Sequence, residues 1–158
     1  MPSNPLGTLE LKVPPPLVAL AAAVLMWLAS MLVSPVPVPL GARLSMAVIF
    51  AGVGMAFGIT AMVTFRRAST TVNPMKPGTA STLVTSGVFG ITRNPMYVSL
   101  VLYLLAWAAY LSNWLALLIV PVFVLYISRF QIVPEERALR SLFGERYGAY
   151  AERVRRWL

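Results

Sequence analysis

Glutamate, tyrosine, lysine and arginine are the side chains through which this sequence could do acid–base chemistry, because it contains no histidine, no cysteine and no aspartate. Those absences remove the commonest metal ligands, the thiolate nucleophile and the usual neutral-pH base, so neither a metal nor a disulfide is expected. The acidic side chains are Glu10, Glu135, Glu136, Glu145 and Glu152. Two of them, Glu135 and Glu136, are adjacent and follow Pro134 in a neighbourhood otherwise rich in arginine. Acidic residues in a first helical turn complement the helix dipole, and Glu136 with Arg140 has i,i+4 spacing, which suffices to explain either carboxylate separately. It explains a pair less well.

A second cluster lies about 40 residues earlier, where Arg93, Asn94, Pro95, Met96 and Tyr97 lead into an apolar run. Asn94 suits a helix N-cap and Pro95 the first helical position. A helix start offers unpaired N–H groups and partial positive charge to an anion, and Arg93 adds a full charge. Alone, that corner is explained equally by a capped helix with a snorkelling arginine.

Four apolar stretches position these clusters. Spanning a bilayer takes about 20 mainly apolar residues. Residues 17–33, 44–65, 96–111 and 114–133 meet or approach that length. Pro14, Pro15 and Pro16 open the first, which reads as a retained helix and not a signal peptide. The second contains Gly52, Gly54 and Gly58, small residues that let helices approach closely in lipid. Ser112 and Asn113 alone separate the last two, which predicts a tight hairpin over 96–133 with a kink at Pro121. Residues 134–158 carry Leu139, Phe143, Tyr147, Tyr150, Val154 and Trp157 at helical spacing, an amphipathic helix expected to break near Gly144 and Gly148. The fold class expected is thus all-α, a single integral membrane domain. Residues 1–65 supply two N-terminal helices, and residues 66–158 hold the chemistry.

Apolar residues make up 58% of the 158 and charged ones 11%, too few charges to coat a soluble globule. The net charge is +8, and with four spans twelve of the thirteen basic residues fall on one face, Arg43 being the exception. Positive flanks stay cytoplasmic, so both termini are expected there, in an inner or plasma membrane. The charge reads as topology and attraction to anionic headgroups, not as a nucleic-acid footprint.

From about residue 72 to 157 the sequence resembles the membrane methyltransferases that include isoprenylcysteine carboxyl methyltransferase and phosphatidylethanolamine N-methyltransferase. The resemblance rests on three motifs in order. These are the run from Leu83 to Gly87, the Arg93–Tyr97 corner, and Glu135 and Glu136 followed by Phe143, Gly144, Glu145, Arg146 and Tyr147. It implies an S-adenosyl-L-methionine cofactor, S-adenosyl-L-homocysteine as product, and a lipophilic acceptor arriving from the bilayer. Carried over by residue, the cofactor positions are Ser81, Thr82, Leu83, Val84, Phe89, Asn94, Pro95, Met96, Tyr97, Glu135 and Glu136. Arg93 would orient charge, and Glu136 or Tyr147 would accept a proton if the acceptor is an amine. The sequence has Asn94 where carboxyl methyltransferases carry histidine, and the phospholipid N-methyltransferases also have asparagine there. It has Gln131, with Arg129 nearby, where a substrate-holding arginine stands in the prenylcysteine enzymes. Arg129 and Gln131 are therefore the candidate substrate contacts, for an isoprenylcysteine-like carboxylate or a lipid amine. Two other classes fit the hydrophobic pattern, an NADPH-dependent reductase of the sterol-reductase type and a non-enzymatic small membrane protein.

Overall fold

A computed structural model describes residues 10–68 and 81–158, and all regular structure among them is helical. Helix α1 is Pro15–Ser30 and α2 is Leu40–Arg67. A 3-10 turn at Gly87–Gly90 precedes α3, Pro95–Leu111. Next come α4, Trp114–Leu117, and α5, Ile119–Ile127. A π-helical turn, Ser128–Ile132, leads into α6, Val133–Phe143, and α7 is Glu145–Arg153. Lys76, in residues 69–80, and the stretch before Glu10 lie outside the described residues.

Prolines set several of these boundaries. Pro15 and Pro95 occupy first helical turns, where the missing N–H costs nothing. Pro121 cannot donate to the carbonyl four residues back, that of Leu117, and the helix is interrupted at Leu117–Leu118. The hairpin turn is held by Asn113, whose side chain accepts from the N–H groups of Leu115 and Ala116, while Ser112 adopts a left-handed conformation. The proline-rich link between α1 and α2 is fastened to the same turn, since Val36 N–H donates to Ser112 O at 2.7 Å and Asn113 Nδ2 to Val33 O at 2.9 Å.

The core forms where α1, α3, α4 and α5 meet, around Met26, Leu104, Ala108, Ala116, Phe123 and Ile127. Helix α2 lies against α3 along a seam of small residues, and its end packs on the 3-10 turn. A Cβ built on Gly54 would come within 3.1 Å of Leu102 Cβ, and one on Gly58 within 3.0 Å of Ser99 Oγ. Among the described residues, two helical runs are long and apolar enough to cross a membrane, α2 and Trp114–Phe143. Helices α1 and α3 are apolar but shorter, at 16 and 17 residues. Only 11% of the apolar window of α2 is buried within the protein, unlike the core helix of a soluble domain. Val48, Ile49 and Ile59 face outward there, as do Val122 and Leu125 on α5.

The C-terminal region breaks at one of the two glycines expected to interrupt it. It turns once, at Gly144, whose φ of 51° is a conformation that favours glycine. Helix α7 then runs through Gly148 without a break, because glycine within a short helix weakens it without stopping it. Residues 154–158 leave the helix and return across the bundle end.

Candidate functional site

The basic corner and the paired glutamates meet at one end of the bundle. Tyr97, in the first turn of α3, donates its hydroxyl hydrogen to Glu135 Oε1 in the first turn of α6. Arg43 lies at the opposite end, where its Nε donates to Tyr110 O at 2.9 Å. Adjacent helical residues point about 100° apart, so Glu135 and Glu136 take different partners. Glu136 receives Arg156 in a two-pronged pair, Nη2 to Oε2 at 2.7 Å and Nε to Oε1 at 3.0 Å. Arg93 Nη1 stands 3.3 Å from Glu136 Oε1. Arg140, the i+4 partner expected for Glu136, instead lines the adjoining cavity.

The returning C-terminal segment completes the corner. Arg93 N–H donates to Arg155 O at 2.9 Å, and Arg156 O accepts from both Asn94 Nδ2 at 2.8 Å and Thr92 Oγ1 at 3.2 Å. Asn94 occupies the N-cap position of α3 without a side-chain capping bond, and its Nδ2 donates to the tail. Trp157 Nε1 reaches Ser128 Oγ at 3.3 Å. Helix α7 adds Tyr150, whose hydroxyl donates to Phe89 O at 2.7 Å. It also adds Tyr147, whose oxygen accepts from Arg93 Nη1 at 3.3 Å. Burial, reinforced by the Glu136 charge, raises the Tyr147 phenol above the usual tyrosine range and outweighs the opposing pull of Arg93. It is neutral at physiological pH. Glu136 faces two guanidinium groups, those of Arg93 and Arg156.

A cavity of about 480 Å³ opens beside this triad, walled by Arg93, Glu136, Arg140, Glu152 and Arg156, with Gly144, Gly148 and Ala151 at its sides. Its volume falls in the range of about 300–1,000 Å³ usual for small-molecule sites. Three arginines against two glutamates give it net positive charge, which favours an anionic group. Arg93 Nε is buried without a hydrogen-bond partner, so the wall retains an unused donor.

Of the residues singled out from sequence, Arg93, Asn94, Tyr97, Glu135, Glu136 and Tyr147 gather here. Pro95 is buried at the start of α3, and Met96 beside it is half-buried. Phe89 is buried edge-on to Phe65, with ring centres 4.9 Å apart. Ser81 and Thr82 are exposed, and Leu83 and Val84 half-buried, on the approach to the 3-10 turn. Arg129 and Gln131 face the N-terminal segment. Arg129 Nη1 pairs with Glu10 at 2.7 Å, and Gln131 Nε2 donates to Val13 O at 2.7 Å. Sequence reasoning missed Arg156, which nothing local distinguishes from its neighbouring arginines, and Thr92, which is fully buried.

Residues 42–146 match the phospholipid methyltransferase family, and the chain belongs to it. The matched span holds Arg93, the α3 start and both glutamates; Tyr147 and Arg156 lie just beyond it. An uncharacterized protein of Haemophilus influenzae is 54% identical over 63 residues, covering 40% of this chain and all of that protein. No solved structure matches. The family is one of methyltransferases, and the expected membership in a membrane methyltransferase family resembling phosphatidylethanolamine and isoprenylcysteine enzymes holds.

Proposed function

We propose that this protein transfers a methyl group from S-adenosyl-L-methionine to a lipophilic acceptor drawn from the bilayer, releasing S-adenosyl-L-homocysteine. The observation that carries this reading is the meeting of the Asn94–Tyr97 corner with Glu135 and Glu136 at one end of the bundle. The chemistry of the donors suits the cofactor. Its amine and ribose hydroxyls match a carboxylate such as Glu135, and its own carboxylate matches the positive wall of Arg93, Arg140 and Arg156. When bound, the cofactor supplies an electrophilic methyl group on a sulfonium.

The chain's own residues then have limited work. Displacement at a methyl group demands alignment and exclusion of water more than acid–base help, so the lack of histidine and cysteine is no obstacle. Glu135, oriented by Tyr97, grips the cofactor; Arg93, held between Glu136 and Tyr147, orients charge. The acceptor is a lipid amine or a carboxylate, and an amine needs only a weak proton acceptor nearby. Arg129 and Gln131, tied to the N-terminal segment, are better placed to shape the site than to hold a substrate. With α1 and α3 crossing beside the two longer helices, four spans put this end of the bundle and its arginines on the cytoplasmic face.

Calorimetry on detergent-purified protein tests the reading. Micromolar S-adenosyl-L-homocysteine binding that is abolished by Glu135→Ala supports it, and binding of NADPH instead overturns it. Tritiated methyl transfer into extracted lipids then separates acceptors, because a carboxyl ester is lost in alkali and an N-methyl group survives.

A further inference from the structure

We propose that residues 10–13 act as a strap that aims the paired glutamates, which makes Glu10 and Gln131 positioning residues of the site. The inference rests on the functional reading above and extends it to a segment outside the matched family region.

The starting point is Pro134. In a straight α-helix, residue 134 would donate its N–H to the carbonyl of residue 130, and proline has no N–H to give. The Phe130 carbonyl receives a hydrogen bond from elsewhere, Leu11 N–H at 3.1 Å. The helix itself answers the proline with a π turn, in which Val133 N–H donates five residues back to Ser128 O. Such a turn adds about one residue to the helical cycle, and one residue is about 100° of rotation. The π turn therefore decides which way α6 faces, and with it where Glu135 and Glu136 point.

Residues 10–13 grip this turn on every side. Glu10 binds Arg129 within it and Arg137 beyond it, bracketing the irregular stretch with one carboxylate. Gln131, wholly buried, donates to Val13 O, and its own Oε1 has no hydrogen-bond partner, so a single bond anchors its amide. Leu11 adopts a φ of 57°, which a leucine takes up only when its surroundings impose it. A segment held this firmly against an irregular turn fixes its register. Released, the turn keeps its proline but loses the contacts that fix its register, and Glu135 is free to swing away from Tyr97.

The test is a double-mutant cycle on the full-length protein, read as S-adenosyl-L-homocysteine affinity by calorimetry. Gln131→Met keeps volume and removes the strap bond; Tyr97→Phe removes the partner toward which Glu135 is aimed. If the strap acts by aiming Glu135, Gln131→Met weakens binding roughly tenfold in the wild-type background but less than about twofold beside Tyr97→Phe. Equal losses in both backgrounds, or none in either, overturn the proposal, since a merely structural effect is additive. Glu10→Gln runs the same cycle if Gln131→Met does not fold. Wild-type protein that fails to bind S-adenosyl-L-homocysteine, or binding indifferent to Glu135→Ala, sinks the functional reading itself. Binding that needs Glu135 but ignores both strap variants sinks the strap alone.

Discussion

The Tyr97 hydroxyl and the Glu135 carboxylate, 38 residues apart, are hydrogen-bonded between the first turns of α3 and α6. From this bond the chain leaves through the 17 residues of α3 and returns to it through α4, α5 and the π turn. Tyr97→Phe removes the bond and leaves a carboxylate without its donor. We expect cofactor-product affinity to fall about tenfold, measured by calorimetry, with Glu135→Gln at least as damaging. Unaltered affinity in both would separate this pair from the binding site.

Arg156 should matter out of proportion to its position near the end of the described chain. It closes a two-pronged pair with Glu136 and supplies the carbonyl that receives Asn94 and Thr92. Removing one partner of a largely buried pair costs about 3–5 kcal/mol, a figure reduced here because the arginine is partly exposed. Arg156→Ala should therefore lower the unfolding midpoint and the methyl-transfer rate together. Arg156→Lys, which keeps the charge and loses the fork, should restore only part of each.

The α2–α3 seam gives a contrast in packing. A Cβ on Gly54 meets Leu102 Cβ at 3.1 Å and the Ser99 carbonyl at 3.2 Å, while one on Gly52 meets nothing within 4 Å. A backbone carbonyl cannot step aside. Gly54→Ala should destabilise by about 1–3 kcal/mol, and Gly52→Ala should be neutral or stabilising by up to about 1 kcal/mol. Thermal unfolding in detergent, with the two variants side by side, checks the sign of each.

Acid should loosen the N-terminal strap. The hydrogen bond from Arg129 holds the Glu10 carboxyl below its ordinary value of 4.5, with the Arg137 charge assisting. A carboxylate whose pKa falls on folding contributes stability that is present above its unfolded value and lost as pH drops through the folded one. Wild type should therefore exceed Glu10→Gln in unfolding midpoint at neutral pH. The margin should shrink as pH falls below about 4.5 and be gone once Glu10 is protonated. Because both arginine partners are substantially exposed, it amounts to a few degrees at most.

Much of this site was legible before any coordinates. Asn94–Pro95 marks a helix start by the geometry of proline, and hydrophobic runs separated by Ser112 and Asn113 dictate a return. Those two facts bring Tyr97 and Glu135 to the same end. What sequence could not supply was the partner of each charge. Arg140 stands at the right spacing for Glu136, yet a more distant arginine has the carboxylate, because the tail after α7 folds back across the corner. The family motif points Arg129 and Gln131 toward a substrate, whereas both bond a stretch of chain more than 100 residues earlier, which also supplies the donor that Pro134 lacks. Long-range capping of this kind leaves no periodic trace.

The uncharged stretch from Leu44 to Phe65 measures about 33 Å as a helix, close to the roughly 30 Å of bilayer hydrocarbon, and a cation stands at each end of it, Arg43 and Arg66. Along its length the glycine seam couples it to α3, and its last ring leans edge-on against Phe89. With α2 across a bilayer, a thicker or thinner host would tilt or slide this outrigger. The displacement would reach the 3-10 turn where Phe65 meets Phe89 and Thr64 lies beside Gly87, so lipid chain length becomes a variable that any reconstitution of this protein has to hold constant.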